Sequence, residues 1–150
     1  MEQENVGLYL GMDISEKYTM ISIYQQHMKE PQTISTIMGS ESYQIPTALA
    51  KKKGVGQWFF GREAKVRVKS GEALGVEDLL DKARTGEEVF LEHEKYAASD
   101  LLAIFLKRVL SLAGSAQAMM PLAKLVICLD KVSVEYMELF SAIMVKLGIE

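Results

Sequence analysis

Apolar and polar positions follow two different periods along this chain, and the change of period divides it. Residues 6–12 are mostly apolar and read as a largely buried strand. Residues 18–25 alternate more cleanly, with Tyr18, Met20, Ser22 and Tyr24 on one face and Thr19, Ile21 and Ile23 on the other. Residues 31–38 supply a third strand with Pro31 confined to its start, and residues 39–42 form the next turn. Three strands joined by short connections predict an antiparallel meander.

The middle of the chain is mixed. An extended piece covers residues 45–50, followed by a basic, glycine-punctuated loop at 51–56 and a short aromatic strand at 57–60. A helix starts after Gly61 with Arg62, Glu63, Ala64 and Lys65. Residues 71–83 read as a second short helix with Leu74, Leu79 and Leu80 as its apolar contacts, stopped by Thr85 and Gly86. Residues 88–92 read as a strand. The clearest helix begins at Ser99 and Asp100, because Leu101, Leu102, Phe105, Leu106, Val109, Leu112 and Ala113 recur at helical spacing, with Lys107 and Arg108 on the open side and Gly114 as its stop. Residues 122–129 form a continuous apolar run, the pattern of a strand buried on both faces and closed by Asp130. Ser133 caps a last amphipathic helix through Leu147, with Gly148 just past its end. A late strand covered on both faces belongs beside the first strand as its parallel neighbour. The expected architecture is therefore α/β, a mixed sheet with flanking helices.

Composition narrows the class. With 49% apolar and 25% charged residues in 150, the chain suits one globular unit. Its longest apolar helical run is too short to span a bilayer, which argues against a membrane, and its acidic, polar start is no signal peptide. Cys128, the only cysteine, lies in an apolar run and reads as a buried, inert thiol of a cytoplasmic protein. A net charge of −3 argues against nucleic acid as a general partner. The charge is uneven, however. Residues 51–69 hold seven of the 17 basic residues against one acid, Glu63, leaving ten basic and 19 acidic residues elsewhere. His27 and His93 are isolated, Met119 and Met120 read as a semi-buried loop, and no Ser-His-Asp, Cys-His or Gly-x-Gly-x-x-Gly arrangement is present.

Four stretches, in order, carry a resemblance. Gly11-Met12-Asp13-Ile14-Ser15-Glu16-Lys17-Tyr18-Thr19 sits where the actin-like ATPase superfamily has its first phosphate loop. Ile45-Pro46-Thr47 looks like the opening of that family's fourth strand, and Phe60-Gly61-Arg62-Glu63-Ala64-Lys65 is similar to a family helix start. The run at 125–129, with the helix ending Lys146-Leu147-Gly148-Ile149-Glu150, matches its buried strand and following helix. The chain thus resembles the N-terminal part of the ATPase domain of heat-shock (DnaK-type) chaperones. The resemblance implies an RNase-H-like fold, with residues 1–50 and 97–150 as a core subdomain and 51–96 inserted. It implies ATP or ADP with Mg2+ as cofactors of a longer parent, and the remainder of that ATPase domain as the first partner, with self-association or other proteins as further ones. Gly11, Asp13, Ser15, Lys17 and Tyr18 would hold the nucleotide, Asp13 also the metal, and Lys65 would stand by the γ-phosphate as the catalytic lysine. Alone, the chain is expected not to hydrolyse ATP.

Departures from the family pattern keep other readings open. Ser15 and Glu16 replace a glycine and a threonine of the phosphate loop, and the Glu16 charge should repel a triphosphate unless it points away. Asp130 stands where the family has a proline. An RNase-H-like nuclease or transposase would place Asp13 and Asp130 on shared metal ions. A non-catalytic interaction domain on the same scaffold would need neither, and would leave an apolar face exposed.

Overall fold

The computed structural model describes residues 8–24, 32–33, 44–113, 122–129 and 133–147. The third strand beyond Thr33, the turn at 39–42, His27, Gly114, Met119, Met120, Asp130 and Gly148 lie outside them.

A mixed sheet carries the core. Strands β1 (Leu8–Ile14) and β2 (Tyr18–Tyr24) form an antiparallel hairpin, β3 (Gln32–Thr33) and β4 (Ile45–Pro46) both pair with β2, and β10 (Leu122–Leu129) lies parallel to β1. Described strand order is β10-β1-β2-β3, so the expected parallel placement of the late strand holds. Alternation along β2 also holds: Thr19 and Ile21 are buried, whereas Tyr18 is exposed. The first strand runs two residues further than its apolar pattern suggested. Asp13 is therefore inside β1, opposite Met20 and Cys128, rather than at its end.

Between β4 and the long helix the chain builds a second, three-stranded sheet, order β6-β5-β7, from β5 (Leu49–Lys52), β6 (Trp58–Phe60) and β7 (Ala73–Val76). Helix α1 (Gly61–Lys69) packs on it. Gly61 opens that helix with φ +63°, and a Cβ there would meet Ile45 Cγ2 at 3.1 Å, so the position favours glycine. The expected helix over 71–83 is corrected: Ala73–Val76 pairs with β5, and only α2 (Leu79–Thr85) is helical. A free edge of β5 outweighs weak local helix propensity there. Gly86 closes α2 in the left-handed region, as expected of a residue just past a helix. The strand foreseen at 88–92 is β8 (Glu88–Leu91), one arm of a hairpin whose other arm, β9 (Glu94–Ala97), the charged sequence concealed.

Helix α3 (Ala98–Leu110) buries Leu101, Leu102, Phe105, Leu106 and Val109 and exposes Lys107 and Arg108. With α4 (Val134–Lys146), capped by Ser133 Oγ accepting from the Tyr136 N–H, it covers the same apolar cluster as Leu10, Met12, Ile14 and Ile21. Leu49, Val76, Leu79, Leu80 and Leu91 belong to that cluster too, and the Phe60 and Phe105 rings meet edge-on at 6.4 Å. Two expectations fail at β10. Leu125, Ile127 and Leu129 pack toward the core, but Val126 is 46% exposed and Cys128 is exposed, so the strand is covered on one face and the thiol is not buried. Among the described residues, no helix is long and apolar enough to cross a membrane.

The basic loop expected at 51–56 is also corrected. Lys51 lies in β5, buried, and its ammonium meets Glu92 Oε1 at 3.3 Å; the same oxygen accepts from the Gly54 N–H at 2.7 Å. The Gly54 amide first, and Lys51 next, hold the Glu92 carboxyl below its ordinary range. A carboxyl depressed in the fold stabilises it above the unfolded pKa, and that contribution is lost as pH falls through the folded one. Glu92→Gln should therefore lower the urea midpoint at pH 7, and the difference from wild type should vanish in acid. Phe105→Ala, at a fully buried position, should cost about 3–5 kcal/mol in the same denaturation assay.

Candidate functional site

The candidate phosphate hairpin is a two-residue turn, Glu16 and Lys17, between β1 and β2. Two of its amides, those of Ser15 and Tyr18, are committed within the turn. The Ser15 N–H donates to the Tyr18 carbonyl at 2.9 Å, the Ser15 hydroxyl donates to the same oxygen at 2.9 Å, and the Tyr18 N–H donates to Ser15 Oγ at 3.1 Å. One serine side chain therefore closes the base of the turn.

Two outside elements then fasten the tip. The Thr47 N–H donates to the Lys17 carbonyl at 3.0 Å, and the buried Thr19 and Thr47 hydroxyls share a 2.8 Å hydrogen bond. On the other side the Glu16 carboxylate accepts from the Asp81 N–H in the first turn of α2, at 2.5 Å. Asp78, at the start of α2, makes no side-chain cap, so Glu16 reaches across 65 residues to supply an acceptor that the helix lacks locally. Partial burial raises the Glu16 pKa, with the Asp78 and Asp81 charges adding to it, while the Asp81 amide opposes.

A cleft of about 660 Å³ opens beside this contact, and among the described residues Glu16, Asp78, Asp81 and Glu135 line it with one guanidinium, Arg84. Arg84 is itself paired with Asp81 at 2.5 Å and lies 5.8 Å from the centre of the Tyr136 ring. The Glu135 carboxyl is held below its usual range by its own backbone N–H and by the Ser133 hydroxyl. Among its described lining residues this cleft is thus acidic, which disfavours a triphosphate there.

The residues singled out in the sequence are brought together only in part: Asp13, Ser15 and Tyr18 line one cavity, and Lys65 lines another. Asp13 is exposed on the outer face of β1 and lines a smaller cavity of about 330 Å³ with Ser15, Tyr18, Met20, Gln44 and Cys128. Gly11 lies within β1, where a Cβ would stand 2.9 Å from Ser22 Oγ; its lack of a side chain admits Ser22 rather than a ligand. Lys17 is exposed at the tip. Lys65 is exposed on α1 and lines a third cavity that shares no residue with that of Asp13. Among the described residues, no three His, Cys, Asp or Glu side chains cluster as metal ligands, and His93 is exposed in a turn. Sequence reasoning marked Thr47 only as part of a motif and missed its contacts with the hairpin, and it missed Asp81, Arg84 and Tyr136 altogether. A partner 65 residues from Glu16 leaves no local signal.

The family model described as "Family of unknown function (DUF5716) C-terminal" matches residues 30–150, most of the chain, and the chain belongs to this family. The match takes in β3 to α4 and so includes Thr47, Lys65 and the α2 end of the Glu16 contact; the β1–β2 hairpin precedes it. No curated protein sequence matches the chain.

Glu16→Ala removes the acceptor at α2 and should cost about 1 kcal/mol in urea denaturation at pH 7. Glu16→Gln keeps an acceptor without the charge and should cost less. A carboxyl raised in the fold destabilises it progressively as pH climbs above the unfolded pKa. The gap between Glu16→Gln and wild type should therefore move in favour of the glutamine from pH 4 to pH 7.

Proposed function

We propose that this chain is a non-hydrolytic interaction domain on an RNase-H-like, actin-like ATPase scaffold, in which the first phosphate hairpin has become a structural clasp. The observation that carries this reading is the Glu16 carboxylate bound at the first turn of α2. An anionic side chain there fixes the turn by a contact that a phosphate loop does not need, and places negative charge where a nucleotide would bring more. Ser15 supports the same reading by consuming the amide of Tyr18 and the carbonyl opposite its own.

A magnesium nucleotide does not fit this donor set. Asp13 offers a single carboxylate, the neighbouring cleft is acidic, and Lys65 lines a different cavity. An outer sheet face that exposes Tyr18 on β2 and Val126 and Cys128 on β10, on either side of β1, supports the interaction reading, since exposed apolar side chains on one sheet face suit a protein surface. One observation favours a second reading, a nucleotide half-site of a longer ATPase: Asp13 is open to solvent beside the hairpin, as a carboxylate facing a metal's waters would be.

Calorimetric titration of Mg-ATP and Mg-ADP into this chain separates the two. No saturable heat is expected from either nucleotide. Binding that Asp13→Ala abolishes would overturn the proposal and restore the half-site.

A further inference from the structure

Helix α1 and the β5–β7 edge enclose a groove unconnected with the hairpin, with a volume of about 320 Å³. Its floor is small and apolar: Ala48, Ala64, Gly75 and Val76. Gly75 sets its depth, because a Cβ there would come within 3.0 Å of Val68 Cγ2, so the bare glycine lets α1 lie close to the sheet. On the α1 rim stand Lys65 and Lys69, four residues apart and so on one helix face. Glu77 stands on the rim as well.

The charges at this groove are unspent. Among the described residues, Lys65 and Lys69 take part in no ion pair, a property shared with Lys17, Lys52, Lys53, Lys82, Lys107 and Arg108, and Glu77 on the same rim lies beyond ion-pair distance of both. Two uncompensated ammonium groups above an apolar floor are complementary to a ligand with carboxylates flanking an aliphatic group. Glu77 supplies an acceptor for one backbone or amide N–H of the same ligand.

We infer that this groove binds an acidic, extended protein segment, seating one aliphatic side chain on the Ala48–Gly75 floor and its flanking carboxylates on Lys65 and Lys69. An anionic membrane surface offers the same charge, and Val66 and Val68 of the same helix are exposed, but this site is concave and carries a carboxylate on its rim. The inference goes beyond the clasp reading and does not depend on it, since no residue of the groove lines the cavities beside the hairpin.

The test is titration of the whole chain with a fluorescein-labelled peptide of Glu-Glu-Leu-Glu-Glu, read by anisotropy and by amide chemical shifts. Shifts concentrated at Val68, Gly75 and Glu77 are expected. Lys65→Glu with Lys69→Glu, at two exposed positions, should weaken binding about tenfold or more while leaving the thermal midpoint near that of wild type. Replacing the central leucine by serine should weaken it as well. The inference is overturned by a peptide that binds the double variant equally well, by shifts elsewhere, or by no shifts at about 1 mM peptide. It is equally overturned if the chain ignores the peptide but sediments with phosphatidylserine vesicles in a Lys65- and Lys69-dependent way. Nucleotide titration is scored separately, so failure of this site and failure of the clasp reading remain distinguishable.

Discussion

The burial of α3 against the inner face of the sheet is the contact on which the other elements depend. Leu101, Leu102, Phe105, Leu106 and Val109 leave almost no surface to water, and the elements around them converge on that stripe. β1 and β2 contribute Leu10, Met12, Ile14 and Ile21, α2 contributes Leu79 and Leu80, and α4 contributes Phe140 and Ile143. Non-directional apolar burial explains why so mixed a middle segment stays attached: Phe60 and Leu91 reach the same core from two different small sheets. Directional contacts then fix the orientation of those sheets. The Lys51–Glu92 pair ties β5 to the turn between β8 and β9, and the edge-on Trp58 and Tyr96 rings, 5.4 Å apart, tie β6 to β9.

At the hairpin, the same economy of contacts works against ligand chemistry. A phosphate site needs amides left open and a field that is positive or neutral. Here the turn closes on Ser15, Thr47 holds the backbone from one side, and Glu16 is bound from the other. Three contacts anchor the turn, and the described carboxylates of the adjoining cleft place negative charge beside it. Both properties suit a joint between the sheet and α2 better than a cradle for an anion.

The distribution of basic residues is also resolved only in three dimensions. Residues 51–69 read as one patch, yet the fold disperses it. Lys51 is buried and paired, Arg67 is shared among Glu63, Glu72 and the Phe59 ring, and Lys65 and Lys69 are left together over an apolar groove. A linear count of charges therefore overstated the area of the patch and missed the concave part that Lys65 and Lys69 flank.

What the sequence determined by itself were the elements whose signal is local. The period of α3, the alternation of β2, the Ser133 cap of α4, the glycine that ends α2 and the parallel partner of β1 were all legible, because each rests on side chains a few residues apart or on a general rule of strand connection. The tertiary structure alone decided that residues 73–76 are a strand, that Cys128 and Val126 face outward, and that Asp13 and Lys65 line different cavities. It alone decided, too, that Glu16 serves a helix 65 residues away. Each of these depends on which edge is free to pair or which face remains uncovered once the chain has packed. No window along the chain holds that information, because the partners come from segments far apart in sequence.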